Sequence, residues 1–229
     1  MARIARVAPL FLIAVASAAA LVTPASAAEF HSAIAGTVLT GSSEGGAAAF
    51  AFGETKIECT EGKLEGLSQF KAERETTLHR TYNKCSTFVE GDTKFRPNDC
   101  AFILKAETEK EHGKLAVECK EASMVIEMEF EHEGKPCIIG VGEQTAPTKG
   151  VRYTNGEEGG IKYFKINVTA EGISYTKTGE GCKNISGTGK DMTYTVEGSM
   201  RGYEFLGLQG TTTTPIKYTE GKQVSVWWE

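Results

Sequence analysis

The chain has 229 residues, with 25 Lys+Arg against 30 Asp+Glu, 40% hydrophobic residues, 26 Gly, 6 Pro and 6 Cys, a composition of ordinary globular proteins. Collagen, disorder and a multi-span membrane protein are excluded. A formal charge of −5 offers no basic face for nucleic acid, so DNA and RNA are not expected partners.

Met1-Ala-Arg-Ile-Ala-Arg6 is followed by an apolar stretch from Val7 to Val22, then Pro24 and the triplet Ala25-Ser26-Ala27. This is the order of a secretory signal peptide, with a charged start, an apolar segment and an A-x-A cleavage site. Cleavage before Ala28 removes residues 1–27 and leaves 23 basic against 30 acidic residues. The expected location is secreted or extracytoplasmic, with no membrane span after cleavage. An uncleaved anchor is the alternative, disfavoured by Pro24 and the cleavage triplet.

All six cysteines, Cys59, Cys85, Cys100, Cys119, Cys137 and Cys182, follow that leader, in a compartment where disulfides persist. Cys100–Leu104 and Leu115–Cys119 flank a polar loop from Glu107 to Lys114. An antiparallel hairpin about its midpoint puts Cys100 opposite Cys119, within bridging distance. For the rest we favour Cys59 with Cys85 and Cys137 with Cys182, other pairings remaining open. Cysteine-ligated metal is a poor reading: no two cysteines are spaced C-x-x-C, and the four histidines are scattered.

Strict alternation marks Thr77–Tyr82, Met124–Phe130 and Tyr163–Thr169, and recurs in Gly172–Thr176, Met192–Val196, Ile216–Tyr218 and Val224–Trp228; each reads as a strand with one wet face. Asn155-Gly156, Gly179-Glu180-Gly181 and Gly187-Thr188-Gly189 read as turns. No stretch beyond the leader keeps a helical period. The expected fold is therefore all-β, a disulfide-stapled antiparallel β-sandwich of roughly twelve to fourteen short strands. Residues 28–229 are read as one domain, with 142–150 around Pro147 the candidate subdivision.

Two groups of residues stand out. Glu127, Glu129, Glu131 and Glu133 fall on one face of a strand, where a carboxylate row could collect a hard cation or a basic partner. The plainer account is a solvated face paired with neighbouring lysines. Trp227 and Trp228 must point to opposite sides of their strand, so at most one is core and the other is available to stack on a sugar ring. No G-x-S-x-G, H-E-x-x-H or phosphate-loop motif is present, so no catalytic residue and no cofactor are assigned.

Ile57-Glu58-Cys59, Thr81–Cys85, Asn98-Asp99-Cys100, Val117-Glu118-Cys119, Pro136-Cys137-Ile138, Val151–Asn155, Gly172–Thr176 and Gly187-Thr188-Gly189 resemble uncharacterised secreted six-cysteine proteins of actinobacteria. The resemblance implies export and an all-β fold; it carries no activity and no functional residue. The expected function is recognition, or a structural role in the cell envelope or outside the cell, by a non-enzymatic β-sandwich. Polysaccharide or another envelope protein would be the partner. The alternative is a secreted polysaccharide hydrolase using two of the 27 glutamates or a Glu/Asp pair.

Overall fold

A computed structural model describes residues 28–43, 48–87, 92–107, 112–146, 150–209 and 217–229; residues 1–27, expected to be a signal peptide, and Pro147 lie outside these. Eighteen strands occur among the described residues: β1 Phe30–Ser32, β2 Thr37–Ser42, β3 Ala48–Phe52, β4 Thr55–Ser68, β5 Ala72–Glu73, β6 Glu75–Thr87, β7 Asp92–Arg96, β8 Cys100–Ala106, β9 His112–Cys119, β10 Ile126–His132, β11 Lys135–Val141, β12 Gln144–Thr145, β13 Val151–Glu158, β14 Ile161–Ile173, β15 Thr176–Thr178, β16 Met192–Gln209, β17 Lys217–Val224 and β18 Val226–Trp228. The excess over the expected number comes from pieces of two or three residues, too short to show alternation. One 3₁₀ turn, Glu180–Cys182, is the only helical element among the described residues.

The protein is all-β and antiparallel throughout, with three disulfides. Its main sheet closes on itself. The path β6-β8-β9-β13-β14-β16-β2-β4 returns to β6 through the β4–β6 pairing, so the two faces of the expected sandwich are sewn together along both edges. β2 and β3 share one position in this ring. β2 lies between Lys63–Ser68 of β4 and Ser199–Glu204 of β16, and β3 continues the slot between Thr55–Cys59 and Thr193–Thr195. A wing, β7-β10-β11-β15, branches from the end of β6. The small sheet β18-β1-β5 brings the two ends of the described chain together, the Glu29 and Glu229 backbones exchanging hydrogen bonds at 2.8 and 3.1 Å.

Alternation placed the core. Along β10, Ile126, Met128 and Phe130 are buried while the intervening glutamates are not; along β14, Phe164, Ile166, Val168 and Ala170 are buried. One continuous apolar cluster runs from Ala28 to Trp228 and includes residues from both sides of 142–150.

Asn155-Gly156 is not a turn but the middle of β13, opposite Phe164 and Tyr163 of β14. The reason is packing. A Cβ at Gly156 would lie 2.4 Å from the Tyr163 ring, and the Asn155 amide imitates a strand partner, accepting from the Trp228 N–H at 2.7 Å and donating to its carbonyl at 2.6 Å. The turn comes four residues later, at Gly159-Gly160, where both residues have positive φ, as tight hairpins require. The turn expected at 179–181 is the start of the 3₁₀ turn, whereas 187–189 is irregular loop, with positive φ at Gly187 and Gly189.

The bridges join Cys59 to Cys85, Cys100 to Cys119 and Cys137 to Cys182. Cys100 and Cys119 are direct partners across the β8–β9 hairpin, and Cys59 and Cys85 across β4–β6. The third bridge pins the 3₁₀ turn to β11.

Candidate functional site

The wall of the ring is interrupted beside β6. One edge of β6 is paired with β4 along Leu78–Thr87. Its other edge pairs with β8 from Glu75 to Leu78, and with β7 only at Cys85 and Ser86. Between them, residues 79–84 face no strand, and a cleft of about 500 Å³ opens there, lined by Thr81–Asn83 on one side and Phe95–Asp99 on the other.

Local sequence builds both sides. Pro97 has no N–H for a ladder and ends β7. Asn98 and Asp99 follow with φ of 45° and 58°, a left-handed conformation that these two side chains tolerate better than most. The turn is closed by the Cys100 N–H donating to the Pro97 carbonyl at 2.9 Å, and the Asn98 amide ties it to the Val125 carbonyl at 3.1 Å. Across the cleft, Lys84 also has a positive φ, 50°, and inward-facing residues change parity there: Leu78, Arg80 and Tyr82 are buried before it, Cys85 and Thr87 after it.

Arg96 connects the cleft to the carboxylate row. Its guanidinium meets the Glu129 carboxylate and, at 3.6 Å, that of Glu127; the hydrogen bond it donates to Glu129 is the main cause that holds its pKa above the usual arginine value. Glu127 and Arg96 are cross-strand partners, as are Glu129 and Lys94. Two of the four glutamates are therefore occupied by a cation on the next strand. Glu131 is exposed. Glu133 leaves the row altogether, because it lies in the β10–β11 turn with φ of 54° and accepts from the Asn184 amide at 3.0 Å. No cluster of three metal-capable side chains exists among the described residues. His79 has its pKa lowered by burial, against the opposing charges of Glu65 and Asp99.

Behind the cleft is a residue that reading for motifs missed. Arg80 is only 3% exposed and has no carboxylate partner among the described residues. Its Nη1 donates to the Tyr194 hydroxyl, which is also hydrogen-bonded to the Tyr82 hydroxyl. The guanidinium carbon sits 4.3 Å from the centre of the Tyr82 ring, a cation–π contact that occupies one face of the group. Nε and Nη2 are buried and have no hydrogen-bond partner. Burial pushes the Tyr82 and Tyr194 phenols above their ordinary range, against the lowering influence of Arg80, so both hydroxyls remain protonated. Tyr82 lines the cleft with one side and meets Arg80 with the other. The signal was present in the sequence: in Thr77–Tyr82 the arginine falls on the same parity as Leu78 and Tyr82, the apolar face of the strand.

The tryptophans divide as their spacing requires. Trp228 is buried, its ring 4.2 Å from that of Tyr153 and 4.8 Å from that of Phe30. Trp227 is partly exposed, but His31 stacks on it at 5.4 Å and 11°, and the Lys162 Nζ lies 5.4 Å from its centre. Neither tryptophan adjoins the cleft.

No family model, no curated protein and no solved structure matches this chain. The arrangement of its own residues is what bears on function.

Proposed function

We propose that this is an exported, non-enzymatic recognition module that binds a polar ligand, in the first instance a glycan, in the cleft between β6 and the β7–β8 turn. One observation carries the reading: the cleft sets an aromatic side, Phe95 with the largely buried Tyr82, against the polar residues Thr81, Asn83, Arg96, Asn98 and Asp99. Sugar rings are held by such mixtures, apolar C–H surface against an aromatic and hydroxyls against planar polar groups. The expectation that Trp227 supplies the aromatic surface loses its support, because His31 and Lys162 already flank that ring. Three disulfides favour an oxidising compartment, and among the described residues no helix is long and apolar enough to cross a membrane.

The hydrolase reading finds less support, since a glycosidase needs two carboxyl groups across one bond and among the described residues Asp99 is the one carboxylate lining the cleft. Co-sedimentation of the mature protein with insoluble cell-wall and plant polysaccharides, with reducing ends assayed in the supernatants, separates the readings. Retention without new reducing ends is expected, weakened about tenfold or more by Asn83→Ala or Asp99→Asn, each removing one polar contact. Newly released reducing ends would favour the hydrolase. Unchanged retention in both variants would move the site away from the cleft.

A further inference from the structure

We propose that Arg80 is the receptor for a carboxylate inside the ring of strands, a site separate from the cleft and independent of what the cleft binds. The argument starts from cost. A guanidinium carries its charge at every physiological pH, and a buried charge without a counter-charge is strongly unfavourable. Arg80 is buried and faces two neutral phenols. The Tyr82 ring covers a face of the guanidinium and leaves its N–H edge unpartnered.

The two unpartnered nitrogens give the ligand its chemistry. Nη1 is taken by the Tyr194 hydroxyl. Nε and Nη2, which have no partner, form one edge of the planar group, and their N–H bonds run side by side. That edge matches the two oxygens of a carboxylate, the bidentate geometry in which arginine binds most strongly; a spherical ion such as chloride cannot use both bonds equally well. On this side the opposite strand presents no side chain. Gly62, the cross-strand partner of Tyr82, would place a Cβ 3.3 Å from Arg80 Nη2 and 3.5 Å from the Tyr82 ring. Its backbone does not require glycine for conformation, since no positive φ occurs there.

Titration of ¹⁵N-labelled protein with formate, acetate and glucuronate at constant ionic strength, with chloride as the control, tests this directly. The Arg80 Nε–H resonance is expected to shift saturably with carboxylate and to be insensitive to chloride. Arg80→Lys keeps the charge but loses the paired N–H edge and should weaken binding about 10- to 100-fold. Gly62→Ala, which sets a methyl 3.3 Å from Nη2 and keeps the guanidinium itself, should weaken it in the same direction, so the test survives if Arg80 variants do not fold. Response to formate and acetate alone defines a free small acid as the ligand; response to glucuronate as well extends it to acidic sugars. A resonance unmoved by all three carboxylates, or moved equally by chloride, overturns the proposal. Asp99→Asn should leave this titration unchanged, which keeps failure of the cleft reading distinct from failure of this one.

Discussion

Single buried polar atoms give the sharpest tests of these contacts. Glu73, opposite Phe30 in the small sheet, has a carboxylate oxygen buried without a partner, and burial raises its pKa above 4.5 despite contacts with Ser68 and Thr76. For an acid whose folded pKa is raised, the folded state binds more protons than the unfolded one between the two values. Its contribution is therefore fully present below the unfolded pKa and lost as pH rises through the folded one. Glu73→Gln is expected to raise stability at neutral pH and to flatten that part of the profile, read as urea midpoints from about pH 4 to 8. Tyr153 presents the same case without the charge. It is fully buried, stacks on Trp228, and its hydroxyl has no partner, so burial pushes the phenol pKa up. Tyr153→Phe should stabilise the protein by about 1 kcal/mol, seen as a higher Tm, because it removes a desolvated group and keeps the ring.

Among elements, the hairpin β8–β9 and the long strand β16 behave as opposites. In β9, a Cβ at Gly113 would come within 2.5 Å of the Lys105 carbonyl oxygen and 2.6 Å of the Tyr153 ring, and none of these can yield freely. Gly113→Ala should cost about 1–3 kcal/mol in denaturant unfolding. The far half of β16, paired with β17, holds Leu206 at 64% and Leu208 at 59% exposure; the double change to Ser should alter stability by no more than about 0.5 kcal/mol. Strands and hairpins of this kind were legible because period two alone fixes which side chains turn inward. Hairpin symmetry puts Cys100 opposite Cys119, and the register has them so. What alternation does not encode is where a strand changes partner. The cleft exists because β6 passes from β8 to β7 across six residues, and because Lys84, Asn98 and Asp99 take left-handed backbone. A linear pattern contains neither fact. The turn chemistry of Asn155-Gly156 is overridden by contacts with Tyr163, its partner across the hairpin, and with Trp228, remote in the chain.

At the scale of the whole molecule, the three bridges enclose loops of unequal length. Cys137 and Cys182 are 45 residues apart, against 26 for Cys59–Cys85 and 19 for Cys100–Cys119. Restriction of the unfolded chain then assigns about 4 kcal/mol to the first and about 3 kcal/mol to the last. Paired Cys→Ala variants, compared by urea unfolding, should follow that order. The closed ring has another consequence, which concerns time rather than equilibrium. Most of its neighbours are hairpins, but the seam joins residues 37–42 to 199–204, so the ring cannot shut until segments at nearly opposite ends of the chain have met. Non-local closure of this kind slows folding to about the millisecond-to-second range. During that interval β2, β3 and one edge of β16 are open strand edges. The folding chain is most vulnerable to sticking to its own copies then, and whatever assists its folding has those three strands to protect.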